Sequence, residues 1–373
     1  MAESLALRVR CILGIVAVAV LAGIAAAVSV AQDTPGAVYV LTNQPTGNSV
    51  LVYARAADGT LSPSGSFSTG GAGAGTGVDP LGSQGSLVLG RWSRHLFAVN
   101  AGSNEVSVFA VDGLNLRLLD RAWSGGVKPV SVAVHGNLVY AVNAGGTPNI
   151  QGFLVEPGSG RLTQIPGSSL ALPGGASASP GQIGISPDGD VLMVTEKGTG
   201  LIDTWTLTDE GLPVNGKTRA SNGAVPFGFT FVRRDVALVT EAGPSALSSY
   251  EAADNGSLQL LTGTVADTQK ANCWVEATKN NRYAYVTNTG SGTISSYFIS
   301  PDGSINLLSA VAANTGAGTA PIDFALSNDS HFLFVREGTT GLMGAFRVES
   351  DGSLTPIGTA NGVPSGAQGV AAR

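Results

Sequence analysis

Tyr285-Val286-Thr287-Asn288-Thr289-Gly290, followed by Thr293-Ile294-Ser295-Ser296-Tyr297 and then Asp302-Gly303-Ser304-Ile305, reads as strand, Asn-Gly loop, strand, Asp-Gly turn and strand. The same phrase returns along the chain, with Asn or Glu at one fixed point: Asn43, Asn100, Asn143, Glu196, Glu241, Asn288 and Glu337. These seven positions are about 49 residues apart on average, the period of a repeat built from four strands. The predicted fold is all-β, a seven-bladed β-propeller.

Each blade is taken as strands A to D, counted outward from the central channel. Alternation marks strand C (Val50, Val52; Val106, Val108; Ile294, Ser296), and Gly-bearing turns such as Asp58-Gly59, Asp302-Gly303 and Asp351-Gly352 lead into strand D. The chain enters at Ala37-Val38-Tyr39-Val40, which matches strand B, so blade 1 lacks its strand A. The C-terminal Gly366-Ala367-Gln368-Gly369-Val370-Ala371-Ala372 matches strand A and has no blade of its own. That last segment is expected to complete blade 1 and close the ring, removing exposed sheet edges.

Residues 1–31 read as a signal peptide, or as an N-terminal anchor if uncleaved. Arg8 and Arg10 precede the apolar run Cys11–Val30, which ends in small residues at Ser29-Val30-Ala31. The propeller domain is then 32–373, and its expected location is extracellular or periplasmic. Without the leader the chain keeps 18 basic and 25 acidic side chains, a net charge of −7, which argues against nucleic acid or an anionic membrane surface as partner. Cys273 is left as a single cysteine, so no disulfide is expected, and no cofactor or metal is implied.

Two rings of side chains are expected over the channel on the face of the B–C loops. One is the Asn/Glu set above. The other opens strand A: Gln84, Ser131, Gln182, Gly228, Cys273, Asp323 and Gln368. With Lys128, Lys197, Lys270 and Arg336 they would form a polar funnel able to shift a carboxylate pKa, to hold a cation or to bind sugar hydroxyls. The Asn residues suit turn geometry, whereas Glu196, Glu241 and Glu337 have no special turn chemistry. His95, His135 and His331 all fall in A–B turns on the opposite face, which removes a Ser-His-Asp triad or His-ligated metal from the funnel. A Gly-rich run, Thr69–Gly77, lengthens the connection between blades 1 and 2 and is expected as a long flexible loop over the channel mouth; no Gly-Lys-Ser/Thr follows it.

The Ser186-Pro187-Asp188-Gly189 turn, the Asn100-Ala101-Gly102-Ser103 and Asn288-Thr289-Gly290-Ser291 loops and the Asp-Gly turns resemble the lactonase-type seven-bladed propellers, the group of 6-phosphogluconolactonase and carboxymuconate cycloisomerase. Tyr285-Val286-Thr287-Asn288 is also similar to the tetrapeptide of YVTN repeats in surface proteins. The likeness covers 37–373. It implies a lactone hydrolase or cycloisomerase with His, Arg and Glu/Asp around the channel. Here the segments where that family carries His and Arg are small residues (Ser177–Gln182, Ala224–Gly228), the blade 4 loop is Glu196-Lys197-Gly198-Thr199, and the blade 6 Asn-Arg-Gly is Asn288-Thr289-Gly290; Glu241 stands at a family acidic position.

Two functions therefore stand open. In the first, Glu196 or Glu241 is the general base on a lactone of a sugar acid or aromatic-derived acid, and Lys197 or Arg336 steadies developing negative charge. In the second, a non-catalytic propeller binds a small polar ligand, a glycan or a partner protein through Gln84, Gln182, Asn288, Asp323, Glu337 and Gln368.

Overall fold

The computed structural model describes residues 35–373 apart from 91–93. The leader read over residues 1–31 lies outside the described residues. Seven antiparallel sheets follow one another around a channel, each in the order A-B-C-D. Blade 3 alone departs from four strands. Its strand D is broken into Leu162–Gln164 and Leu170–Ala171, both pairing with strand C (Asn149–Val155), and the break is filled by Ser168, whose Oγ accepts the Gly152 N–H.

The ring closes as the sequence implies. Val370–Ala372 pairs with Gly36–Leu41 in the register Val38↔Ala372, Tyr39↔Ala371 and Val40↔Val370, making strand A of blade 1. Flanking backbone bonds (Leu41 N–H to Gly369 O, Gln368 N–H to Leu41 O) extend that seam.

Local chemistry explains the turns. In the C–D turns Asp58, Asp302 and Asp351 each accept the backbone N–H and the hydroxyl of the residue two positions on (Thr60, Ser304, Ser353), while Gly59, Gly303 and Gly352 take up a φ of 85–90°. Blades are stitched together by buried tyrosines. Tyr140 OH donates to Gly211 O at 2.6 Å and Tyr285 OH to Gly352 O at 3.0 Å, each reaching the C–D turn of the next blade. The core between sheets is apolar and buried, and strand B is apolar at consecutive positions, as in Phe332-Leu333-Phe334-Val335, because both of its faces are covered.

Strand A is irregular in blades 3 to 7. Its pairing with strand B slips near the start of each, between Pro129/Ser131, Pro180/Gln182, Pro226/Phe229, Asn272/Trp274 and Ile322/Phe324. A β-bulge leaves a residue unpaired and re-aims its side chain. In blade 7 the unpaired residue is Asp323, and in blade 6 it is Cys273.

Candidate active site in the central channel

Register fixes what the channel displays. The strand A residues opposite the same point of strand B are Val88, Ala133, Gly184, Thr230, Glu276, Ala325 and Ala371. This layer holds one carboxylate, Glu276, among small and apolar groups. The bulge in the neighbouring blade turns Asp323 into the same cavity, of about 340 Å³, which Gln84, Gln182 and Lys279 also line.

The two carboxyls are electrostatically unusual. Asp323 is 3 % exposed and its Oδ2 has no hydrogen-bond partner. Burial, and then the charge of Glu276, hold its pKa well above the usual carboxylate range; the Gly369 and Phe324 amides oppose this weakly. Glu276 lines the cavity and is half-buried there. Burial pushes it up to about 7, against the pull of Lys279 and of the Gln84 amide, whose Nε2 lies 3.4 Å from Oε1. Both carboxyls are thus shifted toward the protonated form, and Glu276 is poised between acid and base.

The connection between blades 1 and 2 is not a loop lying over the mouth. It has a fixed path, and its last part enters the channel. Ser83 and Gln84 are buried. Gln84 pairs like a strand residue with Val275, its Oε1 accepting the N–H at 3.0 Å and its Nε2 donating to the carbonyl at 2.8 Å, and its own N–H reaches Gly181 O. Ser83 O accepts Trp274 Nε1 and Gln368 Nε2, Ser83 Oγ donates to Val130 O, and Leu81 N–H reaches Gln368 Oε1. Lys197 Nζ donates to Gly82 O and Pro180 O and sits over the Phe227 ring; burial lowers its pKa to about 8. Gly228 leaves room for the plug, since a Cβ there would meet Gln84 Oε1 at 2.2 Å. Blades 3, 4 and 6 and the ring-closing segment therefore all hold the stretch 81–85.

The Asn/Glu ring lies outside this cavity and fastens loops. Glu196 accepts the Gly174 N–H through Oε1 at 3.0 Å and the Thr199 hydroxyl through Oε2. Glu241 accepts the Gly223 N–H at 2.7 Å and the Ser221 hydroxyl at 3.1 Å through Oε1, leaving Oε2 unpartnered. Glu337 accepts the Thr340 hydroxyl, and Asn288 donates to Thr293 and Ser295. In blades 4 and 5 the fastened residue is glycine by necessity: a Cβ on Gly174 or Gly223 would stand 2.0 or 2.3 Å from the carboxylate it caps. Gln368 belongs to the plug's anchorage, and Arg336 lies away from the channel lining, donating through Nη2 to Gly338 O and Pro364 O.

Glu196 has a buried partner, Asp203, on the same face of the blade 4 sheet. Thr218 donates to Asp203 Oδ1 at 2.7 Å, and Oδ2 has no donor. Burial, and then Glu196, raise the Asp203 pKa, and the carboxyl in its protonated form can donate to Glu196. A raised pKa means that the folded state holds a proton the unfolded chain releases above about pH 4. Stability is therefore expected to fall as pH rises from there, until Asp203 ionises in the fold. Asp203→Asn keeps a donor without a titration, so urea unfolding should show it gaining on wild type by on the order of 1–3 kcal/mol between pH 5 and pH 9. Parallel pH profiles would show that the two carboxyls do not share a proton.

Comparison with known families supplies the remaining finding. A family model described as lactonase, 7-bladed beta-propeller, matches residues 37–175 and 176–368. The chain belongs to the lactonase-type seven-bladed propellers. No curated protein matches it. Among solved structures, this lactonase-type propeller is similar to a Bacteroides fragilis protein provisionally named a 6-phosphogluconolactonase (17 % identity, TM-score 0.72, covering 91 % of this chain and 98 % of that one). It is also similar to the Pseudomonas aeruginosa periplasmic gluconolactonase PpgL (16 %, 0.67, 90 % and 99 %) and to virginiamycin B lyase of Staphylococcus aureus (13 %, 0.54, 76 % and 86 %). At these identities the likeness is one of fold.

Of the residues read from the sequence of this lactonase-type propeller, Gln84, Gln182 and Asp323 meet in the channel. Glu276 and Lys279, which share their cavity, were missed. The available signal was Val275-Glu276-Ala277, a lone charge in an innermost strand whose counterparts in other blades are uncharged. Among the described residues no helix is long and apolar enough to cross a membrane.

Proposed function

We propose that this protein hydrolyses a small lactone in its central channel, with Glu276 as general base and Asp323 as general acid. The observation that carries the reading is the pair itself: two carboxyls with raised pKa values lining one cavity. Glu276 takes a proton from water as the water oxygen bonds to the lactone carbonyl carbon. As the ring C–O bond breaks, Asp323 gives its proton to the departing ring oxygen, and solvent then restores both groups. Gln182 supplies a polar group beside them; its Oε1 is held by the Phe229 N–H. A cavity of about 340 Å³ suits a five- or six-membered lactone of a sugar acid. The leader read at residues 1–31 and the periplasmic location of the Pseudomonas neighbour support export as the setting.

The test is hydrolysis of a panel of sugar and aromatic lactones. Glu276→Gln should lower kcat by at least about a hundred-fold and abolish the rise in rate through about pH 7 that ionisation of Glu276 produces. Asp323→Asn should lose the alkaline fall. Glu196→Gln/Glu241→Gln is the contrasting arm: turnover lost there but kept in Glu276→Gln would move the base to the loop ring.

The plug favours a second reading, a non-catalytic module that binds a polar ligand, a glycan or a partner protein on the loop face. Ser83 and Gln84 fill the mouth on that side with amides rather than with cationic groups. Absence of turnover on every lactone in the panel would select it.

A further inference from the structure

We propose that a second site, for an oxyanion, lies on the loop face of blade 7, with Arg336 as its cation. Arg336 is the penultimate residue of the fully buried strand B of that blade and is 0 % exposed. Its Nη2 makes two long bonds, to Pro364 O at 3.2 Å and Gly338 O at 3.4 Å, while Nε and Nη1 have no partner. Among the described residues no carboxylate is within ion-pair distance: Glu337 alternates to the other face of the strand and accepts the Thr340 hydroxyl. A buried guanidinium with two unpaired N–H-bearing nitrogens is an expensive arrangement to maintain, and its strong, directional partners are carboxylate and phosphate oxygens.

Space for such a partner adjoins it. Arg336 lines a pocket of about 420 Å³ together with Val78, Thr340, Gly341 and Ser365, none of which lines the channel cavity. Gly341 has a φ of +76°, and Thr340 and Ser365 are exposed at the edge of the pocket. A buried guanidinium beside a pocket with the Ser365 hydroxyl at its edge offers an anion directional donors. The chemical class is a small molecule bearing a carboxylate or a phosphate. The site lies apart from the proposed acid–base pair and does not depend on it.

Calorimetric titration of the full chain with inorganic phosphate and, separately, with acetate tests this, with thermal unfolding at rising anion concentration alongside. Saturable binding of either anion, weakened at least tenfold by Arg336→Met, is expected. A preference for phosphate or acetate identifies which group the natural ligand carries. Val78→Asp guards against a misfolded Arg336 variant. It leaves the guanidinium in place and offers it a carboxylate from the pocket wall, so it should raise Tm without added anion and abolish anion binding. Wild-type protein that binds neither anion saturably, or a folded Val78→Asp protein that binds as wild type does, would overturn the proposal.

Discussion

Deleting residues 366–373 should abolish cooperative folding. The deletion removes the strand Val370–Ala372 and with it the inner neighbour of Gly36–Leu41, so Val38 and Val40, both 0 % exposed, would face the channel water. Each such side chain represents about 1.5–3 kcal/mol of burial. The loss extends to Gln368, which holds both Leu81 and Ser83, and to an unpaired strand edge open to other chains. The summed effect is comparable to the 5–15 kcal/mol that stabilises a typical protein. The expected outcome is an aggregated product or a non-cooperative unfolding curve. Arg373→Ala, which keeps the backbone seam and removes side-chain contacts to Gly113 O and Tyr39, should still unfold cooperatively. A truncated protein that remains monomeric with an unchanged midpoint would show that the ring does not depend on its seam.

Trp274→Ala should have the next largest effect, about 3–5 kcal/mol. Trp274 is 1 % exposed, packs on Phe227 with ring centroids 4.8 Å apart, and donates Nε1 to Ser83 O at 3.0 Å. Truncation leaves a cavity beneath the plug and removes one of its anchors. Trp274→Phe separates these contributions, because it keeps much of the packing and Ser83 O retains the Gln368 bond; about 1 kcal/mol is expected. Denaturant unfolding gives both values, and limited proteolysis across 70–85 reports whether the plug has come loose. Equal losses in the two variants would assign the effect to the hydrogen bond and not to packing.

The fold was legible because each of its devices is local. An Asp-Gly-Ser turn dictates its own geometry, a strand B without a preceding strand A announces a missing partner, and seven copies reinforce one another. The site was less legible because it depends on register. One unpaired residue in strand A decides whether Asp323 or a neighbour faces the channel, and nothing in Pro321-Ile322-Asp323-Phe324 marks the bulge. Glu196 and Glu241 invite a catalytic reading since glutamate has no place in tight turns, yet their loop-fastening bonds go to glycines about twenty residues upstream. The Gly-rich segment shows the same limit: composition describes its freedom as a chain, whereas the contacts that seat residues 81–85 lie up to 287 positions away.

Those separations govern the order of folding. The bonds from Ser83 and Gln84 span 191 residues to blade 6 and 285 to Gln368. Contacts of such high contact order form late, after local hairpins and blade-to-blade packing have brought the ends near. A chain emerging vectorially, from the ribosome or across a membrane, can build its early blades while 81–85 still lacks its partners in blade 6 and in the closing segment. The plug would then seat only when the last strand arrives, so that filling the channel and sealing the ring become one closing event.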